Sequence, residues 1–277
     1  MTIGPSTRFI LSTSGRLNSL HRYRILLQEL LSVDVAYVPI SSPEGPIAAE
    51  AFAGALRGMN CIGGAISRDI KSAILPLLHS VSPEASRVGS VNTVLVRSGG
   101  RQEGHNTDAL GFRAAIEQAI RTSPVPITEA VCYGYGGVCS VVVHVLRSLG
   151  VSTSLCGRRP EEAARRAAEL GATVWTPEIR PQLLVNAAPV TDRPLEEAPF
   201  LLQALQGVAL VFDHEMPGRY LEEHCRSHAV VHVPGSAMYW PQMEAQWALF
   251  LDGIVDSPSQ VSDLLHQADQ RVPRSSM

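Results

Sequence analysis

Lysine is nearly missing from this chain of 277 residues: its 23 cationic side chains are 22 arginines and one lysine, Lys71. An arginine bias leaves a surface as charged as before. Lysine differs because it can give up or share its proton near neutral pH, and arginine cannot. Lys71 is therefore either a leftover surface group or one kept for proton chemistry. Long apolar runs are absent too. None reaches the ~18–20 residues needed to span a bilayer, so no membrane association is expected. Residues 1–7 have neither a basic start nor an apolar signal core and read as unprocessed. The five cysteines, Cys61, Cys132, Cys139, Cys156 and Cys225, have no Cys-x-x-Cys or metal-type spacing, which fits buried thiols in a reducing cytoplasm. The net charge is −3 with no basic cluster, which argues against a nucleic-acid partner. His224 and His228 stand i,i+4 on an expected helix, a spacing that could face a metal. They read as surface or core residues, and no metal is expected. There is no internal repeat and no low-complexity segment.

What is present is the composition of a core-forming protein, 45% hydrophobic and 18% charged. At ~100–200 residues per domain, the length gives one large or two medium domains. Strand-like segments at 9–11, 35–40, 61–67, 91–96, 130–133, 151–156, 183–185, 208–212 and 229–233 alternate with helical spacing. The helical segments are 20–31, 48–56, 69–79, 107–120, 138–149, 160–170, 220–228, 236–251 and 258–270. This alternation predicts an α/β fold with largely parallel sheets. Residues 122–126, Thr-Ser-Pro-Val-Pro, look like a linker.

Gly134-x-Gly136-Gly137 falls between a strand and the helix that opens at Val138, where a dinucleotide pyrophosphate would rest. Glycines let the backbone approach phosphates, and the helix start supplies N–H groups and partial positive charge. The usual third glycine is Cys139, so the fingerprint is a variant. An NAD site places Asp or Glu at the end of the next strand, on the ribose 2′-hydroxyl. Here that end reads Cys156-Gly157-Arg158-Arg159, with no acidic residue from Ala130 to Pro160. Two guanidiniums suit a 2′-phosphate, so NADP (NADPH) is expected rather than NAD. Asn186-Ala187-Ala188-Pro189 follows another strand. Its small residues either leave room for a ligand or form an ordinary turn.

Several of these pieces recur in the same order in the shikimate dehydrogenase family, which the chain resembles from about Phe9 to Gly253. Ala65-Ile66-Ser67-Arg68-Asp69-Ile70-Lys71 is similar to the family's Asn-Val-Thr-(Ile/Val)-Pro-x-Lys. Gly89-Ser90-Val91-Asn92-Thr93-Val94 resembles Gly-Ala-Val-Asn-Thr-Val. The most specific match is His105-Asn106-Thr107-Asp108-Ala109-Leu110-Gly111-Phe112, against Tyr-Asn-Thr-Asp-Gly-x-Gly-Phe. Gly235-x-x-Met238-x-x-x-Gln242 resembles the family's terminal Gly-x-x-Met-Leu-x-x-Gln.

The resemblance implies roles. Lys71 and Asp108 correspond to the catalytic pair. Ser14, Ser67, Asn92 and Gln242 correspond to substrate ligands. Gly134, Gly136, Gly137, Val138, Arg158, Arg159, Ala187, Ala188, Gly235 and Met238 fall on the cofactor side, with Met238 lining the nicotinamide pocket. Oxidising a ring alcohol sends a hydride to nicotinamide and a proton to a base. An ammonium–carboxylate pair can orient the alcohol, relay its proton and stabilise developing oxygen charge.

There are departures from the family pattern. Its Ser-x-Ser substrate-carboxylate clamp is missing from the stretch Gly15-Arg16-Leu17-Asn18-Ser19-Leu20-His21. Ser14, Arg16 or Asn18-Ser19 stand as replacements. A ligand-contacting Tyr after Asp213 is replaced by His214-Glu215-Met216-Pro217. The Ala-Ile-Ser and Ser-Gly-Arg patterns are closer to divergent shikimate dehydrogenase-like members.

The expected protein has two domains. One is a Rossmann-type doubly wound NADP-binding domain, residues 108–234. The other is an α/β substrate-binding and catalytic domain, residues 1–107 and 235–277, closed by C-terminal helices. The expected partner is a small-molecule cyclic hydroxy acid, in a cytoplasmic monomer or homodimer. The expected activity is NADP-dependent interconversion of 3-dehydroshikimate and shikimate. The alternatives are the same chemistry on quinate, an aminoshikimate-type compound or another cyclic polyol acid, and a non-catalytic NADP-binding homologue.

Overall fold

The computed structural model describes residues 3–15, 17–42, 45–67, 70–189, 195–214 and 219–273. They divide into two compact units, Met1–Thr107 with Met243–Met277, and Asp108–Gln242.

The first unit opens with β1 (Arg8–Ser12), α1 (Leu17–Arg24), β2 (Val35–Pro39), α2 (Ala49–Gly58) and β3 (Cys61–Ala65). It continues through β4 (Ser80–Val81), α3 (Pro83–Val88), β5 (Thr93–Val96) and β6 (Gln102–His105). The sheet order is β2-β1-β3-β5-β6-β4. It is mixed rather than all parallel, because β5 runs antiparallel to both β3 and β6. A β5–β6 hairpin needs a tight reversal. Gly99 and Gly100 supply it at φ 74° and 72°, where glycine has no Cβ to clash.

Two bare positions in β3 shape this unit. Successive strand residues face opposite sides. A Cβ on Gly64 would come within 2.8 Å of the Phe52 ring of α2, and one on Gly63 within 2.7 Å of the Phe250 ring. The glycines thus let aromatic rings close on the strand from both faces. Phe52 is fully buried and Phe250 nearly so. Each such ring contributes roughly 1.5–3 kcal/mol by burial.

The expected helix over 69–79 does not form. Residues 71–74 are turns, and a 3₁₀ segment, Leu75–Leu77, ends in extended backbone at Leu78. Pro76 has no N–H to continue a helix and disfavours helical backbone at the residue before it. The apolar spacing there instead reflects Ile70 and Ile74, both in the core. The expected helix over 20–31 is split. After α1 the hydrogen bonding widens to a π-helical segment, Ile25–Leu30, which buries Ile25, Leu26 and Leu27 in succession.

The second unit carries α4 (Asp108–Arg121), β7 (Glu129–Tyr133), α5 (Gly137–Ser148), β8 (Ser152–Cys156), α6 (Pro160–Leu170) and β9 (Thr173–Val174). It continues with β10 (Leu183–Asn186), α7 (Pro199–Ala204), β11 (Leu210–Asp213), α8 (Arg219–Ser227) and β12 (Val231–Pro234). The order β12-β11-β10-β7-β8-β9 is parallel throughout. Counted from β7, this is 6-5-4-1-2-3, the doubly wound dinucleotide-binding order, and it reverses between β7 and β10. Strands covered on both faces read as continuous apolar runs, as Leu183–Val185 and Leu210–Phe212 do.

A 3₁₀ turn, Gly235–Met238, leads into α9 (Tyr239–Phe250), and α10 (Pro258–Gln270) follows. Ser257 caps α10 by accepting from Gln260 N at 3.3 Å, with Pro258 at the first helical position. The second break between units falls at Gln242/Met243, inside α9, and not before Gly235. The reason lies in two glycines. A Cβ on Gly235 would meet the Asp213 and His214 carbonyls at 2.9 Å, and one on Gly111 of α4 would meet the Met238 carbonyl at 2.6 Å. Residues 235–242 are therefore seated on β11 and α4. Among the described residues, no helix is long and apolar enough to cross a membrane.

All five cysteines are free and buried. Burial pushes the Cys61 thiol up to about 11 and the Cys156 and Cys225 thiols up to about 12. The thiolate is the reactive form, so these three should resist maleimide at neutral pH in the native protein. All five should label once urea unfolds the chain. Rapid native labelling at Cys61, Cys156 or Cys225, located by peptide mass mapping, would contradict this burial.

Candidate functional site

In the first unit, three backbone links gather the loops that follow β1 and β3 and precede β5. Thr13 N donates to Ala65 O (3.1 Å), Ile66 N to Asn92 O (2.8 Å), and Val91 N to Lys71 O (2.8 Å). Ser67, Lys71 and Asn92 are thereby held on neighbouring loops. Ser67 is also tied to Thr13. Its N–H donates to Thr13 Oγ1 at 2.7 Å, and the two hydroxyls are 3.0 Å apart. Both line a small cavity of about 30 Å³ with Ile40, Ser41, Pro46, Ile47 and Ile70. Thr13 was not among the expected ligands, although it lies inside the Ser12-Thr13-Ser14 run. Ser14 is exposed, and its backbone is braced by Ser12, whose hydroxyl donates to Ser14 O at 2.7 Å. Arg16, Arg68, Asp69 and residues 215–217 lie outside the described residues.

Asn92 is buried, and its amide has a bracing duty beyond the expected ligand role. Its Oδ1 accepts from Thr107 N and from Thr93 Oγ1, each at 2.9 Å, and its Nδ2 donates to Thr107 Oγ1 at 2.9 Å. Gln246 of α9 donates to Thr93 Oγ1 at 2.8 Å. This chain of buried polar groups fixes Thr107, and the next residue is Asp108, the first of α4. Lys71 and Asp108 are both half-buried.

In the second unit, Gln242 reaches the first turn of the helix that Asp108 opens. A Cβ on Gly111 would lie 2.7 Å from Gln242 Cβ. That contact gives Gly111 of the Asp-x-x-Gly-Phe motif its packing reason. Phe112 meets Phe212 edge-on, with ring centres 5.0 Å apart.

The glycine turn lies where the strand order reverses. Gly134 has φ 121°, and a Cβ there would come within 2.9–3.1 Å of the Ala187–Ala188 backbone. Ala187 N donates to Tyr133 O (2.8 Å) and Gly134 N to Cys156 O (2.8 Å), joining the ends of β10, β7 and β8. Asn186 holds its own turn, donating to buried Asp213 (2.8 Å) and accepting from Ala188 N (3.2 Å). At Gly136 and Gly137, by contrast, a Cβ would meet nothing within 4 Å. Gly136 starts α5 with no side-chain cap, so open space lies against bare helix-start N–H groups. This cradle fits a pyrophosphate. Cys139, in the third glycine's place, is buried. Val138 is half-buried behind the turn. Arg158 and Arg159 are exposed at the end of β8, and Arg159 Nε donates to Tyr135 Oη at 3.0 Å. Tyr135, the x of the glycine motif, was missed from the sequence; its only signal was bulk at a position flanked by glycines. Gly235 and Met238 are buried beside α4 and β11. Among the described residues, no group of three or more His, Cys, Asp or Glu could hold a metal ion.

The fold and these turns define a two-unit α/β protein whose second unit is a Rossmann-type dinucleotide-binding domain. No family model matches the chain. It is 35% identical over 147 residues to the shikimate dehydrogenase (NADP(+)) of Paramagnetospirillum magneticum, covering 53% of this chain and 52% of that protein. It is 41% identical over 86 residues to the quinate/shikimate dehydrogenase (NAD(+)) of Corynebacterium efficiens, 31% of this chain and 30% of that one. The chain spans about half the length of the first curated relatives it matches. The likeness in structure runs further. Shikimate 5-dehydrogenase from Thermus thermophilus, solved with NADP(H) and shikimate, is 27% identical, with TM-score 0.70 over 95% of this chain and 99% of that one. All three are shikimate or quinate/shikimate dehydrogenases, and these are what the chain is similar to.

The left-handed Gly134 is the most exposed point of this arrangement to mutation. Gly134→Ala should lower unfolding free energy by about 1–3 kcal/mol, from backbone strain and the approach to Ala187. Urea unfolding followed by circular dichroism checks it; an unchanged midpoint would show that the turn tolerates a side chain.

Proposed function

We propose that this protein is an NADP-dependent oxidoreductase that interconverts 3-dehydroshikimate and shikimate. The observation that carries the reading is the near full-length likeness to an enzyme solved with NADP(H) and shikimate. The residues add support. The unit Asp108–Gln242 carries NADP. The N–H groups of Gly136, Gly137 and Val138 take the pyrophosphate, beside the close-packed Gly134. Arg158 and Arg159 take the 2′-phosphate. The small side chains of Ala187, Ala188 and Gly235 leave room for the nucleotide, with Met238 against the nicotinamide. Ser14, Ser67, Asn92 and Gln242 bind the oxygens of the ring acid.

When bound, NADP supplies the acceptor for the hydride removed from the ring carbon. Lys71 donates a hydrogen bond to the reacting oxygen and holds its developing negative charge. Asp108 acts with it as the carboxylate that takes the alcohol proton, returning it in the reverse direction. An arginine in place of Lys71 would keep the charge but present a broad planar fork instead of a compact point donor to the reacting oxygen. That distinction fits one lysine standing among 22 arginines. The five buried free thiols suit work in the cytoplasm.

A second reading keeps the chemistry and changes the substrate to quinate. It is favoured by the departure from Ser-x-Ser over residues 15–21 and by the likeness to a quinate/shikimate dehydrogenase.

Incubating the pure protein with NADP and either shikimate or quinate, and following NADPH absorbance, tests the reading. Lys71→Ala should lower kcat by about 10²–10⁴-fold, with NADPH affinity held within twofold. Full turnover by that variant would overturn the assigned mechanism. NADPH binding by the wild type without turnover of either acid would overturn both the shikimate and the quinate readings.

A further inference from the structure

Tyr135 occupies the variable position of the glycine motif and is held on two sides. Its ring lies on the backbone of Gly157, where a Cβ would come within 2.6 Å of Cε1. Any larger residue at 157 would push the ring away. Its hydroxyl accepts the Nε–H of Arg159 at 3.0 Å, with the guanidinium carbon 5.4 Å from the ring centre. The two turns are themselves joined by the Gly134 N–H to Cys156 O bond. A guanidinium has five N–H donors in a fixed fork. Using Nε on Tyr135 leaves both Nη groups. The only carboxylate near them among the described residues is Glu162, whose Oε1 stands 3.9 Å from Arg159 Nη1, beyond hydrogen-bond length.

An exposed arginine ordinarily samples many rotamers, and ordering one on binding costs affinity. Arg159 is exposed and yet anchored at its root by a phenol that is itself fixed. We propose that Tyr135 is a positioning residue for cofactor choice: it holds the Arg159 guanidinium, Nη groups outward, for the 2′-phosphate that distinguishes NADP from NAD. This inference rests on the NADP reading above. Removing the anchor should weaken NADP by roughly 2–10-fold, the worth of one side chain ordered in advance. It should leave NAD nearly untouched, because NAD has no group for Arg159 to hold.

Fluorescence titration of the full-length protein with NADPH and NADH, on wild type, Tyr135→Phe, Arg159→Ala and the double variant, tests this. Tyr135→Phe keeps the ring on Gly157, and a melting curve reports whether the variant folds. The expected result is weaker NADPH binding for Tyr135→Phe, NADH affinity within twofold, and no further NADPH loss when Tyr135→Phe is added to Arg159→Ala. Equal weakening of both nucleotides, or a loss that persists without Arg159, would overturn the role and leave Tyr135 as a support of the turn. A wild type that prefers NADPH with no shift in Tyr135→Phe defeats the inference alone. A wild type that binds neither nucleotide defeats the NADP reading, and the inference with it.

Discussion

The backbone of Gly134 lies against that of Ala187 and Ala188, and the dinucleotide reading depends on that approach. Where the strand order reverses, the connections from two neighbouring parallel strands leave in opposite directions and open a crevice at the strands' carboxyl ends. Here the strands are β7 and β10, and where their turns approach each other the residues are Gly134, Ala187 and Ala188, with little or no side chain. A Cβ at Gly134 would separate the turns. Bare Gly136 and Gly137 then leave the α5 start open to an anion. The same local economy explains why Cys139 is accepted where a glycine is usual: the third position governs helix-to-strand packing, and a buried thiol is small enough for it.

The first unit solves a different problem, how to keep polar groups both buried and committed. Asn92, Thr93, Thr107 and Gln246 are buried, and each spends hydrogen bonds on the others. A fully satisfied network of this kind stiffens what it touches. What it touches is Thr107, the last residue before Asp108. The Asn-Thr and Asn-Thr-Asp motifs thus carry structural duties along with any ligand contact. Gly111, in the same motif, holds α4 against the Gly235–Met238 turn.

Much of this was legible in the sequence, for definite reasons. The glycine turn, the Arg158-Arg159 pair and the parallel strands of the second unit announce themselves, because buried parallel strands are uniformly apolar and phosphate turns are glycine-rich. β6 was not legible. Gln102-Glu103-Gly104-His105 has no apolar alternation, yet Gln102 is fully buried, donating to Ala53 O at 2.8 Å. A polar core residue satisfied by a partner 49 positions away leaves no local signal. The helix expected over 69–79 failed for the opposite reason: a true apolar period was present, and Pro76 overrode it. Thr13 and Tyr135 escaped notice because their contacts come from loops brought together only by the fold. The unit break inside α9 was hidden similarly, since it is set by glycines at 111 and 235.

The central claim, that NADP lies across the turns after β7, β8 and β10, is open to direct measurement by hydrogen–deuterium exchange on the full-length protein with and without saturating NADPH. The account predicts slowed exchange in the amides of 134–138, 157–159 and 187–188. Unchanged exchange there, or protection confined to other segments, would contradict it.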